Sequence, residues 1–163
     1  KAIEINPGYS KAYGNLGKLY TDNQEYKLAE DILKTGIQID AGYADGFMRL
    51  GLLYIEQEKF ELAAKNLVTA TSLDEKDYFK FFNLAAAYNQ LKQWDNATSA
   101  SQSCVDLNRK FGGGWLEFGM AEMGRRNKTR AKKYFDEARK DRDWREMAER
   151  KIDEINNPEK YEK

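Results

Sequence analysis

Residues 15–30 read NLGKLYTDNQEYKLAE, and the same line returns three times. It reads RLGLLYIEQEKFELAA at 49–64, NLAAAYNQLKQWDNAT at 83–98 and EFGMAEMGRRNKTRAK at 117–132. The step is 34 residues each time. Four columns share one register: Tyr13, Phe47, Phe81 and Trp115; Leu16, Leu50, Leu84 and Phe118; Gly17, Gly51, Ala85 and Gly119; Ala29, Ala63, Ala97 and Ala131. A fixed period of this size marks a stack of supersecondary units, each too small to bury its own apolar face.

Each unit reads as two helices. Tyr13, Leu16, Gly17 and Tyr20 stand at i, i+3, i+4 and i+7, on one helical face. Tyr26, Ala29 and Leu33 repeat that spacing in a second helix. The segments between, TDNQE, EQEK, QLKQ and GRRN, are polar and turn-like. A glycine inside a helix costs about 1 kcal/mol relative to alanine. Its recurrence at Gly17, Gly51 and Gly119 implies that two backbones must approach closely there.

Composition narrows the function. The 27 basic and 27 acidic residues of the 163-residue chain balance, so no global field draws nucleic acid or a membrane. No apolar run reaches the roughly 18 residues of a membrane span. The absence of histidine removes the commonest general base and zinc ligand, so neither catalysis nor a metal or cofactor is expected. The single cysteine, Cys104, rules out an internal disulfide framework, and the cytoplasm is the favoured compartment. Cys104 shares a small-residue column with Gly36, Ala70 and Ala138 and is expected to be buried.

The set Tyr13-x2-Leu16-Gly17-x2-Tyr20 with Ala29-x3-Leu33, and its copies at Phe47, Phe81 and Trp115, resembles the tetratricopeptide repeat over about residues 1–140. Ser101, Glu122 and Lys128 depart from its usual large apolar or aromatic residues. The resemblance implies an all-α, right-handed superhelical solenoid of antiparallel helix pairs, with about four repeats and a C-terminal cap. The expected boundaries are 1–9 for the end of a truncated preceding repeat, then 10–43, 44–77, 78–111 and 112–142 for four units. A capping helix at 143–155 carries the stripe Trp144, Met147, Ala148, Lys151, Ile152 and Ile155, and 156–163 is a frayed tail.

The same resemblance implies a protein-interaction scaffold whose first helices line a concave groove. The side chains reaching it are those outside the packing columns. They include Asn15 and Lys18; Met48, Arg49 and Leu52; Phe79, Phe82 and Asn83; Leu116, Glu117 and Met120. This expected groove is apolar, with Met and Phe suited to an adaptable contact. Asn15 and Asn83 would grip a peptide backbone, since an amide both donates and accepts. The lysine, asparagine and arginine clamp that some relatives use for chaperone tails does not form in either register.

The expected partner is thus a protein or peptide. The alternative is a module that self-associates through the same surface into a homo-oligomer. Gly112, Gly113 and Gly114 are expected to form a flexible junction. The segment 125–140 holds eight basic and two acidic residues, but no interleaved aromatic platform for bases. It is expected to be a solvated face.

Overall fold

The computed structural model describes residues 9–161, so all but Tyr9 of the expected preceding repeat lies outside the described residues. Within them the fold is all-α. The helices are α1 (Ser10–Asp22), α2 (Tyr26–Ile39), α3 (Ala44–Glu56), α4 (Phe60–Leu73), α5 (Tyr78–Gln90), α6 (Trp94–Leu107), α7 (Gly112–Gly124), α8 (Lys128–Ala138) and α9 (Arg145–Asn156). A 3-10 turn follows at Pro158–Lys160. First helices begin at Ser10, Ala44, Tyr78 and Gly112, and second helices at Tyr26, Phe60, Trp94 and Lys128. The period of the sequence is therefore the period of the backbone.

The turn inside each pair is made the same way. Gln24, Glu58, Lys92 and Arg126 hold left-handed φ angles of 62°, 56°, 57° and 62°. Such a residue lets the chain reverse and feeds amide hydrogens to the last carbonyls of the first helix. Gln24 N donates to Thr21 O, and Glu25 N donates to Tyr20 O at 2.8 Å. The equivalent bonds form at Glu58, Lys92 and Arg126. No glycine occupies these positions, although each is conformationally suited to one.

The chain divides into two compact units, Lys1–Glu75 and Lys76–Lys163. In unit 1, α1 packs on α2, α3 on α4, and α3 also on α1 and α2. Ala29, Leu33, Leu50, Leu53, Ala63, Leu67 and Ala70 make its core. Each fully buried leucine contributes roughly 1.5–3 kcal/mol. A Cβ on Gly17 would stand 2.5 Å from Leu33, and one on Gly51 2.6 Å from Leu67. These distances are the close approach that the recurring glycine implied.

Unit 2 holds α5 to α9. Its second pair repeats the same contact in larger form, with Gly119 beneath the ring of Phe135, which is fully buried. The column opposite the small residue runs Leu33, Leu67, Ser101, Phe135, while the small column runs Gly17, Gly51, Ala85, Gly119. The departure at Ser101 coincides with the only copy that lacks glycine. Volume added on one helix is removed from the other, as a close-packed interior requires.

Gly112, Gly113 and Gly114 do not form a flexible junction. They are the first turn of α7 and all three are buried. A Cβ would meet Asp141 Cβ at 2.6 Å from Gly112, the Phe111 ring at 2.6 Å from Gly113, and Cys104 Sγ at 2.7 Å from Gly114. They are small because the space is filled. Asp141 Oδ2 accepts from Gly112 N at 2.8 Å and fixes the helix start.

Helix α9 closes unit 2. Ala148 is fully buried in a cluster with Leu116, Ala131, Phe135 and Ala138, while Trp144, Ile152 and Ile155 pack on its edge. Met147, read as part of that stripe, is half exposed. The tail expected to fray is partly held: Tyr161 Oη donates to Asp153 Oδ2 at 2.8 Å across the 3-10 turn.

Candidate peptide-binding surfaces

On unit 1 the sequence-selected residues share the face formed by α1 and α3. Asn15 and Lys18 are exposed on α1, and Met48, Arg49 and Leu52 are half-buried on α3. Arg49 Nη2 donates to Asn15 Oδ1 at 3.4 Å, one repeat apart. Arg49 Nε is enclosed and has no acceptor. Lys18 pairs with Asp22 on the same helix at 2.5 Å. Beside them lies a hollow of about 120 Å³ lined by Lys18, Thr21, Asp22, Arg49, Leu52 and Glu56.

This hollow has an apolar wall in Leu52, two cations and two carboxylates. Asp22 and Glu56 were absent from the sequence reading. Their signal is simple: each stands one turn beyond a selected residue, at i+4 from Lys18 and Leu52. Tyr43 was missed too. A Cβ on Gly14 would fall on its hydroxyl, so the Gly14 position lies under a ring. Burial pushes the Tyr43 phenol up, with Arg49 pulling the other way.

On unit 2 the outcome differs. Phe82 lies among other rings, 5.1 Å from Phe111 and 5.5 Å from Trp144, which are themselves 5.8 Å apart. Phe79 stands 5.6 Å from Phe82 and keeps 38% of its surface. Leu116 is not a groove residue in this arrangement: it is only 3% exposed and belongs to the core under α9. Met120 packs against the same cluster. The physical reason is the cap, which lays its apolar stripe over side chains that would otherwise face water. Tyr43 and Phe111 stand 68 positions apart in the sequence, an aromatic recurrence of two periods that could have revealed these covering rings.

Asn83 also departs from the expectation. Its Nδ2 donates to Phe79 O at 2.7 Å, and the residue is 5% exposed. The amide is turned onto its own helix, as Asn side chains do locally, while Asn15 accepts from Arg49. The two equivalent sites therefore do different things.

Glu117, expected to reach the groove, is engaged by Asn89. Asn89 Nδ2 donates to Glu117 Oε2 at 2.8 Å and to Glu117 O at 2.9 Å, bridging α5 and α7. Burial pushes the Glu117 carboxyl up to about 7, against the lowering effect of the Asn89 bond. Asn89 Oδ1 is enclosed without a donor.

Cys104 is fully buried, and burial pushes its thiol up to about 12. At neutral pH it is a thiol, and thiolate is the reactive form. Iodoacetamide should therefore label Cys104 only after denaturant unfolds unit 2. Labelling of the native chain at the rate of a free peptide thiol would refute this. Among the described residues no group of three His, Cys, Asp or Glu side chains could hold a metal, and no helix is long and apolar enough to cross a membrane.

Family models of the tetratricopeptide repeat match residues 1–31 and 44–77. Among solved structures, the chain is similar to MamA, with a TM-score of 0.76 and 23% identity over 85% of this chain and 81% of that one. It is similar to YrrB, a TPR protein with an unusual peptide-binding site, with a TM-score of 0.72 and 23% identity over 84% and 71%. It is also similar to MamA 41-end from Desulfovibrio magneticus RS-1, with a TM-score of 0.74 and 15% identity over 83% and 77%. At these identities the likeness is one of fold. No curated protein matches the sequence.

Proposed function

Because the chain is a tetratricopeptide-repeat protein, we propose that it is a non-catalytic scaffold holding a peptide segment of a partner protein on the α1–α3 face of unit 1. The observation that carries this reading is Arg49. Its Nη2 is held by a long 3.4 Å bond to the exposed Asn15, beside the apolar Met48 and Leu52. A guanidinium with five donors can take a peptide carbonyl or carboxylate there in a charge-assisted bond. Met48 and Leu52 would take an apolar side chain of the same segment. YrrB, similar in fold, is a protein with a peptide-binding site, which supports the class of ligand.

Peptides enriched from a displayed library on the intact chain supply the test. The double substitution Arg49→Glu with Leu52→Asp should weaken their binding at least tenfold, with unchanged helix content by circular dichroism. Equal affinity for parent and variant would remove this face as the site. Light scattering on the unliganded chain addresses self-association: a concentration-dependent dimer lost in the same variant would favour that reading instead.

A further inference from the structure

We propose that unit 2 carries a second recognition site, at the start of α7 and the middle of α8, which takes an acidic peptide segment with an aromatic or aliphatic anchor. It goes beyond the unit 1 face and shares no residue with it. The site is a hollow of about 270 Å³ lined by Arg109, Trp115, Lys133, Tyr134 and Glu137.

Its floor is a ring stack. Trp115 and Phe118 lie almost parallel, at 8° and 6.4 Å. Tyr134 stacks on both, 5.9 Å from Trp115 and 4.0 Å from Phe118. Phe118 is buried, so the stack is anchored, while Trp115 and Tyr134 are half-buried and present ring surface to the hollow. The Trp115 indole N–H donates to Arg109 O at 2.8 Å, which ties the ring to the strand of chain bearing the first cation.

Its rim is cationic. Several basic residues nearby have carboxylate partners: Arg125 has Asp95 and Glu122, Arg130 has Glu122, Arg139 has Asp136, and Lys140 has Glu137. Arg109 and Lys133 are exposed and make no ion pair among the described residues. Two uncompensated cations over an aromatic floor complement an acidic side chain next to a ring or a branched aliphatic group.

The neighbouring repeat shows which part is particular. The equivalent columns there hold Phe81, Ser99, Ala100 and Ser103, and they also line a hollow, of about 240 Å³. That one has no charged lining residue. The hollow thus recurs in the third and fourth copies; among the four copies the ring at 134 is particular to the fourth, and the cation at 133 is absent from the third, where Ser99 stands. Glu137 favours peptide over nucleic acid: it can accept a peptide N–H but would repel a phosphate. The rings stack on one another, leaving no slot into which a base could insert.

The test follows the indole N–H resonance of Trp115 in the intact chain during titration with the end-capped peptide Glu-Asp-Phe-Glu-Asp-Leu. A saturable shift is expected, weakening as salt is added. Arg109→Glu with Lys133→Glu should weaken it at least tenfold without changing the melting curve. The unit 1 variant Arg49→Glu with Leu52→Asp should leave it unchanged, which separates failure here from failure of the unit 1 reading. The proposal is overturned by no saturable shift at millimolar peptide, by equal binding of the peptide with lysine at every acidic position, or by tighter binding of single-stranded oligothymidine.

Discussion

Gly119→Val is expected to destabilise unit 2 by about 3 kcal/mol, at the upper end of what overpacking a core costs. A side-chain carbon at this position falls on the ring of Phe135, with Cδ1 only 2.5 Å away. Phe135 is fully buried and cannot swing aside, because Leu116, Ala131, Ala138 and Ala148 surround it. The two additional methyl groups of valine and its poorer helix propensity add to the clash. All three tryptophans, Trp94, Trp115 and Trp144, belong to unit 2, so tryptophan fluorescence reports that unit alone. In urea its midpoint should drop sharply in the variant. The companion Gly119→Ala with Phe135→Leu should recover much of the loss, because it moves volume from one side of the contact to the other. An unchanged fluorescence midpoint in Gly119→Val would show that the close approach is not needed.

Glu117→Gln should stabilise unit 2 at pH 8, by on the order of 2–3 kcal/mol. Burial raises the folded carboxyl from its ordinary 4.5 to about 7. Below pH 4.5 folded and unfolded chains both hold the proton, and the residue carries no penalty. Between 4.5 and 7 the unfolded chain releases its proton while the folded one retains it, so stability falls as pH rises. Above 7 both are ionised and the whole deficit is present. Glutamine has no charge to desolvate, and its amide keeps an oxygen for Asn89 Nδ2. Parent and variant should therefore have similar urea midpoints at pH 4.5 and diverge towards pH 8. Parallel curves across that range would place the Glu117 carboxylate in water.

The period made the hairpins legible, because Leu16, Gly17, Ala29 and their copies answer to a contact repeated at fixed spacing. Helical geometry likewise sufficed for the unit 1 face: Asn15, Lys18, Arg49 and Leu52 share a side by spacing alone. What it could not supply was what lies on top of a face. Phe82 and Leu116 look free when their own helices are read singly. They are covered by Trp144 and α9, whose stripe was legible as a cap but not by what it caps. Asn83 failed for a local reason, since an amide in a helix can bond its own preceding turn as easily as a ligand. The three glycines at 112–114 were read as freedom, when the neighbours Asp141, Phe111 and Cys104 make them a steric demand. Trp115 and Tyr134 are 19 positions apart, and only the packing of α7 on α8 makes one platform of them.

The four intrahelical-pair turns have a consequence for how far this chain is from its own optimum. Gln24, Glu58, Lys92 and Arg126 each hold a backbone conformation that disfavours a side-chain carbon by about 1–2 kcal/mol. What recurs there is a shape, written in four different residues, none of them the one that would adopt it most easily. A chain selected for maximal stability would have settled on glycine or asparagine at least once. Its persistence without them describes a protein held to a threshold of durability and not to its optimum.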